Sequence, residues 1–211
     1  MGMYPAITGF AHPLINISTW GDTRMSASFE SLLMSLDHPY AKYVFNPNSN
    51  DIIDQNTKEV TPAGTRICGI RSGTKVGQGQ DVAQNMRQAY STINREYIGT
   101  ACPPLYFIKW AEVDFLRAEG ALRGWNMGGT AQALYEKGIQ VSMAERGASL
   151  GSYLTSEDVP ADYEDPNDNS NNIAAVSTVT PKWIEGDFEA NLEQIMVQKW
   201  IGNFPNGWET W

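Results

Sequence analysis

Carboxylates are the first groups in this sequence that could do chemistry. Glu112, Asp114 and Glu119 fall in one run with helical spacing, and Glu185, Asp187 and Glu189 open another. Two carboxyl groups flanking a glycosidic bond would support acid–base hydrolysis. These positions read better as solvated helix faces and as acids that offset the positive end of a helix dipole. His12 and His38 both stand beside a proline, with no Ser/His/Asp or Cys/His signature around them. Cys68 and Cys102 are the two cysteines. One bridge in an oxidising compartment and two buried thiols both stay open. Gly73, Gly77 and Gly79 lack the strand, helix and Lys-Ser/Thr context of a phosphate-cradling loop. The run Asp162 to Asn172 invites a calcium reading. With Asp165 at position 1 of the loop, however, Ser170 stands where glycine is needed and Val176 where glutamate is needed. It reads as an exposed polar loop. No catalytic residue, metal or cofactor is expected.

Binding chemistry is better represented. The chain holds seven Trp, nine Tyr and 15 Asn. Flat aromatic faces stack on the C–H faces of sugar rings, and amides meet their hydroxyls. Aromatics in loops are the best ligand contacts, which selects Trp20, Tyr40, Tyr43 and Trp183, with Asn46, Asn48 and Arg71 as polar partners. Trp110 and Trp200 lie on helical stripes and read as core, and Trp125 as a plug in a hairpin loop. The net charge of −9 repels phosphate backbones and anionic lipid headgroups, so neither nucleic acid nor a membrane surface is an expected partner.

These side chains must be positioned by helices and irregular chain. Asp22-Thr23 cap a helix through Met25, Phe29, Leu32, Leu33 and Leu36 that ends before His38-Pro39. Residues 40–100 are rich in turn formers, with a helix expected over Asp81 to Arg95 through Val82, Met86, Tyr90 and Ile93. Leu105 to Arg123 carries the stripe Ile108, Ala111, Phe115, Ala118, Leu122 and ends at Gly124. Thr130 starts a second helix that stops at Arg146-Gly147, giving an αα-hairpin like one tetratricopeptide unit. Leu150 to Pro181 is a polar excursion. A last helix from Asp187 to about Trp200 is expected to bury Phe188, Leu192, Ile195 and Met196. Residues 1–211 thus read as one partial domain: a helix and loop region over 10–100, a hairpin over 101–149, a polar loop over 150–186 and a C-terminal helix over 187–211. No run of 18 apolar residues occurs, and Met1 to Pro13 lacks the basic and apolar regions of a signal peptide. Two Trp in the last four residues read as a chain that continues.

Three motifs carry a family resemblance. The run from Pro104 to Trp125, centred on Ala111-Glu112-Val113 and Phe115-Leu116, resembles one characteristic helix of the SusD/RagB family. Tyr135, Gly138-Ile139 and Ser142-Met143 resemble its next helix. Ile195, Gln198-Lys199-Trp200, Phe204, Asn206-Gly207, Glu209 and Trp211 resemble its closing motif. The likeness covers about residues 10–211. Asp37-His38-Pro39-Tyr40 departs from the Asp-Pro-Arg usual there. The resemblance implies a mainly α fold with little β, built of tetratricopeptide-type hairpins and an irregular ligand face. It also implies a cell-surface outer-membrane lipoprotein whose lipid anchor lies outside this chain. Such a protein captures oligosaccharides or peptides for a SusC-like TonB-dependent transporter, without enzymatic activity. A helical-repeat module binding only proteins is the alternative, and a glycoside hydrolase the lesser one. Apolar helix faces left uncovered are expected to make the isolated chain associate.

Overall fold

The computed structural model describes residues 18, 23–54, 57–74, 89–98 and 106–206. Among them the chain runs α1 (Ala27–Ser35), α2 (Ala41–Val44), β1 (Ile52–Ile53), β2 (Val60–Thr61), α3 (Arg95–Ile98), α4 (Trp110–Leu122), α5 (Ala131–Glu145) and α6 (Phe188–Asn203). The fold is mostly helical, with β1 and β2 forming one antiparallel ladder. No described helix is long and apolar enough to cross a membrane.

The bundle forms where small residues meet large rings. α4 and α5 run antiparallel, because Asp114 meets Lys137, Phe115 meets Tyr135 and Arg117 reaches back to the Met127 carbonyl. At Gly138 a Cβ would stand 2.7 Å from the Phe115 ring. Glycine is therefore what lets the two backbones close. The Thr130 hydroxyl caps α5 by accepting from the Ala133 amide. α6 lies antiparallel on α4, with its last carbonyls at Lys109 and Phe188 near Arg123. Phe29, Leu32 and Leu33 of α1 join Phe115, Tyr135, Ile139 and Ile195 in one core. Burying each such side chain stabilises the fold by about 1.5–3 kcal/mol.

Several expectations are corrected. α1 starts at Ala27, because the Ser26 hydroxyl accepts from the Phe29 amide; Thr23 to Met25 is not helical. There, Met25 instead donates to the Ser91 carbonyl and accepts from the Ile70 amide. The helix expected over 81–95 lies outside the described residues as far as position 88. Beyond that, the chain pairs with other strands of backbone: Ile93 bridges Phe45, and Ser91 donates to the Cys68 carbonyl. Only Arg95–Ile98 makes a turn of helix. α4 begins at Trp110, five positions later than expected.

α6 has the expected Asp187 cap, whose carboxylate accepts from the Ala190 amide, but its buried face is not the expected stripe. Phe188 is exposed, and Asn191, Gln194 and Gln198 are buried beside Ile195. Gln194 donates to the Thr180 and Lys182 carbonyls and accepts from the Ile184 amide and Asn191. One side chain thereby satisfies the backbone of the polar excursion that packs on α6. Trp110 and Trp125, read as core and plug, are each 63% exposed, and Trp200 is 36% exposed.

Candidate functional site

The turn that ends α1 organises the surface most suited to a polar oligomer. Leu36 caps the helix. The Asp37 amide donates to the Met34 carbonyl and the His38 amide to the Leu33 carbonyl. This pair of bonds is a Schellman motif, which needs a left-handed residue between its arms. Asp37 supplies it at φ 45; aspartate tolerates that region better than most residues. Pro39 then prevents the helix from resuming.

His38 anchors the turn from below. Its ring is 4% exposed and lies edge-on to Tyr40 and Tyr153, with ring centres 4.8 Å from each. Its Nδ1 accepts from the Tyr40 amide. Burial, reinforced by the nearby Arg146 charge, lowers the imidazole pKa to about 3. The side chain is therefore a neutral support under the turn.

Clefts open on both sides of Asp37 and Pro39. One, of about 260 Å³, is walled by Leu33, Met34, Ala41, Lys42 and Ile67. The other, of about 190 Å³, is walled by Ser149, Ser152, Tyr153, Ser156 and Asp158. Asp37 and Pro39 line both, so the two clefts flank one turn and share it as a common rim of the surface groove. Lys42 continues to the Tyr43 ring, its Nζ 5.5 Å from the ring centre. Tyr43 is 38% exposed. Apolar walls, hydroxyls and carboxylates together can hold a ring that carries both C–H faces and hydroxyls.

A third cavity, of about 260 Å³, lies among Phe29, Phe45, Ile93, Trp200 and Phe204. The Phe29 ring sits 5.3 Å from Trp200 and 5.2 Å from Phe204. Its wall is mainly apolar, with polar side chains only from Thr23, Arg24 and Ser26. It is less suited to a polyhydroxylated ligand than the groove.

The seven residues selected from sequence are scattered. Trp20 lies outside the described residues. Tyr43 is exposed on α2 beside Lys42 and is not among the residues that line either cleft. Tyr40 is fully buried, and its hydroxyl donates to the Ile201 carbonyl. Asn48 is 1% exposed because it ties the β1–β2 hairpin. It donates to the Asn50 and Pro62 carbonyls and accepts from the Thr65 and Arg66 amides. Asn46 bonds Thr92, and Arg71 reaches the Ser170 carbonyl. Trp183 is half-buried against Tyr135, ring centres 5.2 Å apart. Asp37, Ser149, Ser152 and Asp158 were missed, since short polar residues in separate turns carry no local pattern.

Of the carboxylates offered for hydrolysis, two lie in ion pairs. Asp114 accepts from Arg117 at 3.0 Å and Lys137 at 3.2 Å, and Glu119 is paired with Arg123. Cys68 is a buried free thiol, its pKa raised chiefly by burial. Among the described residues no cluster of His, Cys, Asp and Glu is arranged to hold a metal ion.

Comparison with known proteins adds the family. A model described as SusD-like, Susd and RagB outer membrane lipoprotein, matches residues 4–211. A chitin-binding SusD homolog from Flavobacterium johnsoniae is 35% identical, with a TM-score of 0.78 over 97% of this chain and 39% of that one. A SusD homolog from Bacteroides vulgatus is 32% identical, with a TM-score of 0.82 over 98% of this chain and 39% of that one. Another from Bacteroides thetaiotaomicron is 35% identical, with a TM-score of 0.74 over 89% of this chain and 36% of that one. The chain therefore spans well under half the length of these solved proteins. No curated protein matches.

Proposed function

The chain belongs to the SusD/RagB family of outer-membrane lipoproteins, and from that premise we propose that it binds oligosaccharides at the cell surface through the groove over Asp37 and Pro39. The family consists of binding proteins. In this reading the captured oligomer passes to a SusC-like TonB-dependent transporter, and a lipid anchor outside this chain holds the protein at the membrane. The observation that supports the groove is its mixture of groups. Pro39 and Met34 offer apolar contact, and Asp37, Ser149, Ser152 and Asp158 hydrogen-bond acceptors and donors. A glycan ring needs both kinds of surface at once.

Calorimetric titration with neutral oligosaccharides tests the reading. Wild-type chain is expected to bind without shortening the ligand. Ser152→Trp is expected to weaken binding at least fivefold by filling a cleft. Binding of no oligosaccharide, or release of shorter products over long incubation, would contradict it.

A protein-contact role is favoured by a different surface. Phe107, Ile108 and Trp110 are 60%, 52% and 63% exposed at the start of α4, a denser apolar grouping than scattered surface residues provide. A pull-down in which the purified transporter is retained while no glycan binds would favour that role.

A further inference from the structure

We infer that the groove selects uncharged oligosaccharides of two or more rings and rejects anionic ones, with Asp37 and Asp158 as the specificity-determining residues. This rests on the oligosaccharide reading above and names the class of ligand.

Length follows from the shared rim. Asp37 and Pro39 line both clefts, so an oligomer lying across the turn would meet both linings. A single ring meets one half of the lining. A linear oligomer meets both, and the second ring binds without a second loss of translational freedom.

Charge selection follows from three features that act on the same spot. The first is Asp37 itself, whose exposed carboxylate sits on the rim common to both clefts. The second is its place immediately beyond α1, a helix of nine residues. The C-terminal carbonyls of a helix carry a partial negative charge that repels an anion placed there. The third is Asp158 on the far wall, which accepts from the Ser156 hydroxyl at 2.6 Å. Lys42 is the one cation among the residues that line the two clefts. It stands on the Tyr43 side, away from the wall that carries Asp158. A uronate or sulfate group in the groove would meet two carboxylates and a helix C-terminus. The hydroxyls of a neutral sugar would meet the same groups as donors to acceptors, and carboxylates accept such bonds strongly. The chain's net charge of −9 adds long-range repulsion with the same sign.

The backbone makes this testable without disturbing the turn. Asp37 sits at φ 45, a conformation that asparagine also tolerates. Asp37→Asn therefore removes the charge and keeps the Schellman turn. Asp158→Asn keeps an acceptor for Ser156.

A glycan array carrying neutral oligomers (chitohexaose, cellohexaose, maltohexaose and their dimers and monomers) and anionic ones (hexagalacturonate, heparin hexamer) provides the test. Wild-type 211-residue chain is expected to favour its best neutral hexamer over every anionic hexamer by at least tenfold, and over the matching monomer by a similar factor. The Asp37→Asn/Asp158→Asn double variant, with an unchanged melting temperature, is expected to lose most of that charge preference, through both weaker neutral and stronger anionic binding. Equal wild-type binding of neutral and anionic hexamers would overturn the inference. So would an unchanged ratio in the folded double variant, or equal binding of monomer and hexamer. Each of these leaves oligosaccharide binding itself intact. Absence of binding to every glycan would strike the oligosaccharide reading, and this inference with it.

Discussion

The Tyr90 hydroxyl lies 3.1 Å from both carboxylate oxygens of Asp165. Asp165 is 3% exposed and also accepts from the amides of Asn167 and Asp168. Tyr163 divides its proton between the Gly69 carbonyl at 2.7 Å and Asp165 at 3.1 Å. The acidic run is therefore a locked loop, pinned to the backbone around Gly69, and its carboxylate most like a metal ligand is consumed by protein donors. Asp165→Ala would remove the acceptor these donors share, a cost of about 1–3 kcal/mol. Urea unfolding should show that loss, and limited proteolysis should show faster cleavage within residues 162–173. Unchanged stability and cleavage would mean that the loop is held by something else.

His38 gives stability a definite dependence on pH. Its folded pKa is about 3, lowered by burial and by Arg146, against about 6.5 in an unfolded chain. Between these values the unfolded state binds the extra proton, so stability falls as pH drops from about 6.5 towards 3. The slope from this group reaches about 1.4 kcal/mol per pH unit. Denaturation curves from pH 7 to 4 should show it, and His38→Asn should remove one proton's worth of slope. Parallel curves for the two proteins would contradict this role.

Gly138 separates packing from helix propensity. Alanine in an open helical position is favoured over glycine by about 1 kcal/mol. Here the added methyl would meet the Phe115 ring at 2.7 Å, and overpacking of this kind costs about 1–3 kcal/mol. Gly138→Ala should therefore lower the thermal midpoint. A raised midpoint would mean that the α4–α5 contact is looser than described.

Phe107, Ile108 and Trp110 bear on solution behaviour. Three large apolar side chains exposed within four positions are expected to drive association of the isolated chain. Sedimentation velocity should show species larger than a monomer, reduced by Phe107→Ser/Trp110→Ser. A monodisperse wild-type monomer would contradict the expectation.

The helices were legible wherever apolar spacing and capping agreed. Thr130, Gly124 and Asp187 mark true ends, and the α4–α5 hairpin follows from them. α6 shows the limit: its buried amides replace an apolar stripe because Asn191, Gln194 and Gln198 must satisfy a neighbouring irregular segment, which no periodicity records. Tryptophan was misjudged for a related reason. Spacing places Trp110 on a helix, but which face meets the core depends on α5 and α6. The cleft residues were not legible, because Asp37 and Asp158 are joined only by the packing of the turn after α1 against the segment after α5. Tyr43, chosen as a loop aromatic, lies in α2 and is not among the residues that line either cleft. Tyr40 was misplaced because the Schellman turn at Asp37 sends its ring inward under Arg146, whose guanidinium lies 4.4 Å from the ring centre.

Hydrogen–deuterium exchange with and without a bound neutral oligosaccharide tests the groove most directly. Ligand-dependent protection is expected in peptides spanning residues 33–43 and 149–158, on both sides of Asp37, with little change around Phe29 and Trp200. Protection confined to the aromatic cavity, or to segments away from Asp37 and Asp158, would show that the ligand binds elsewhere.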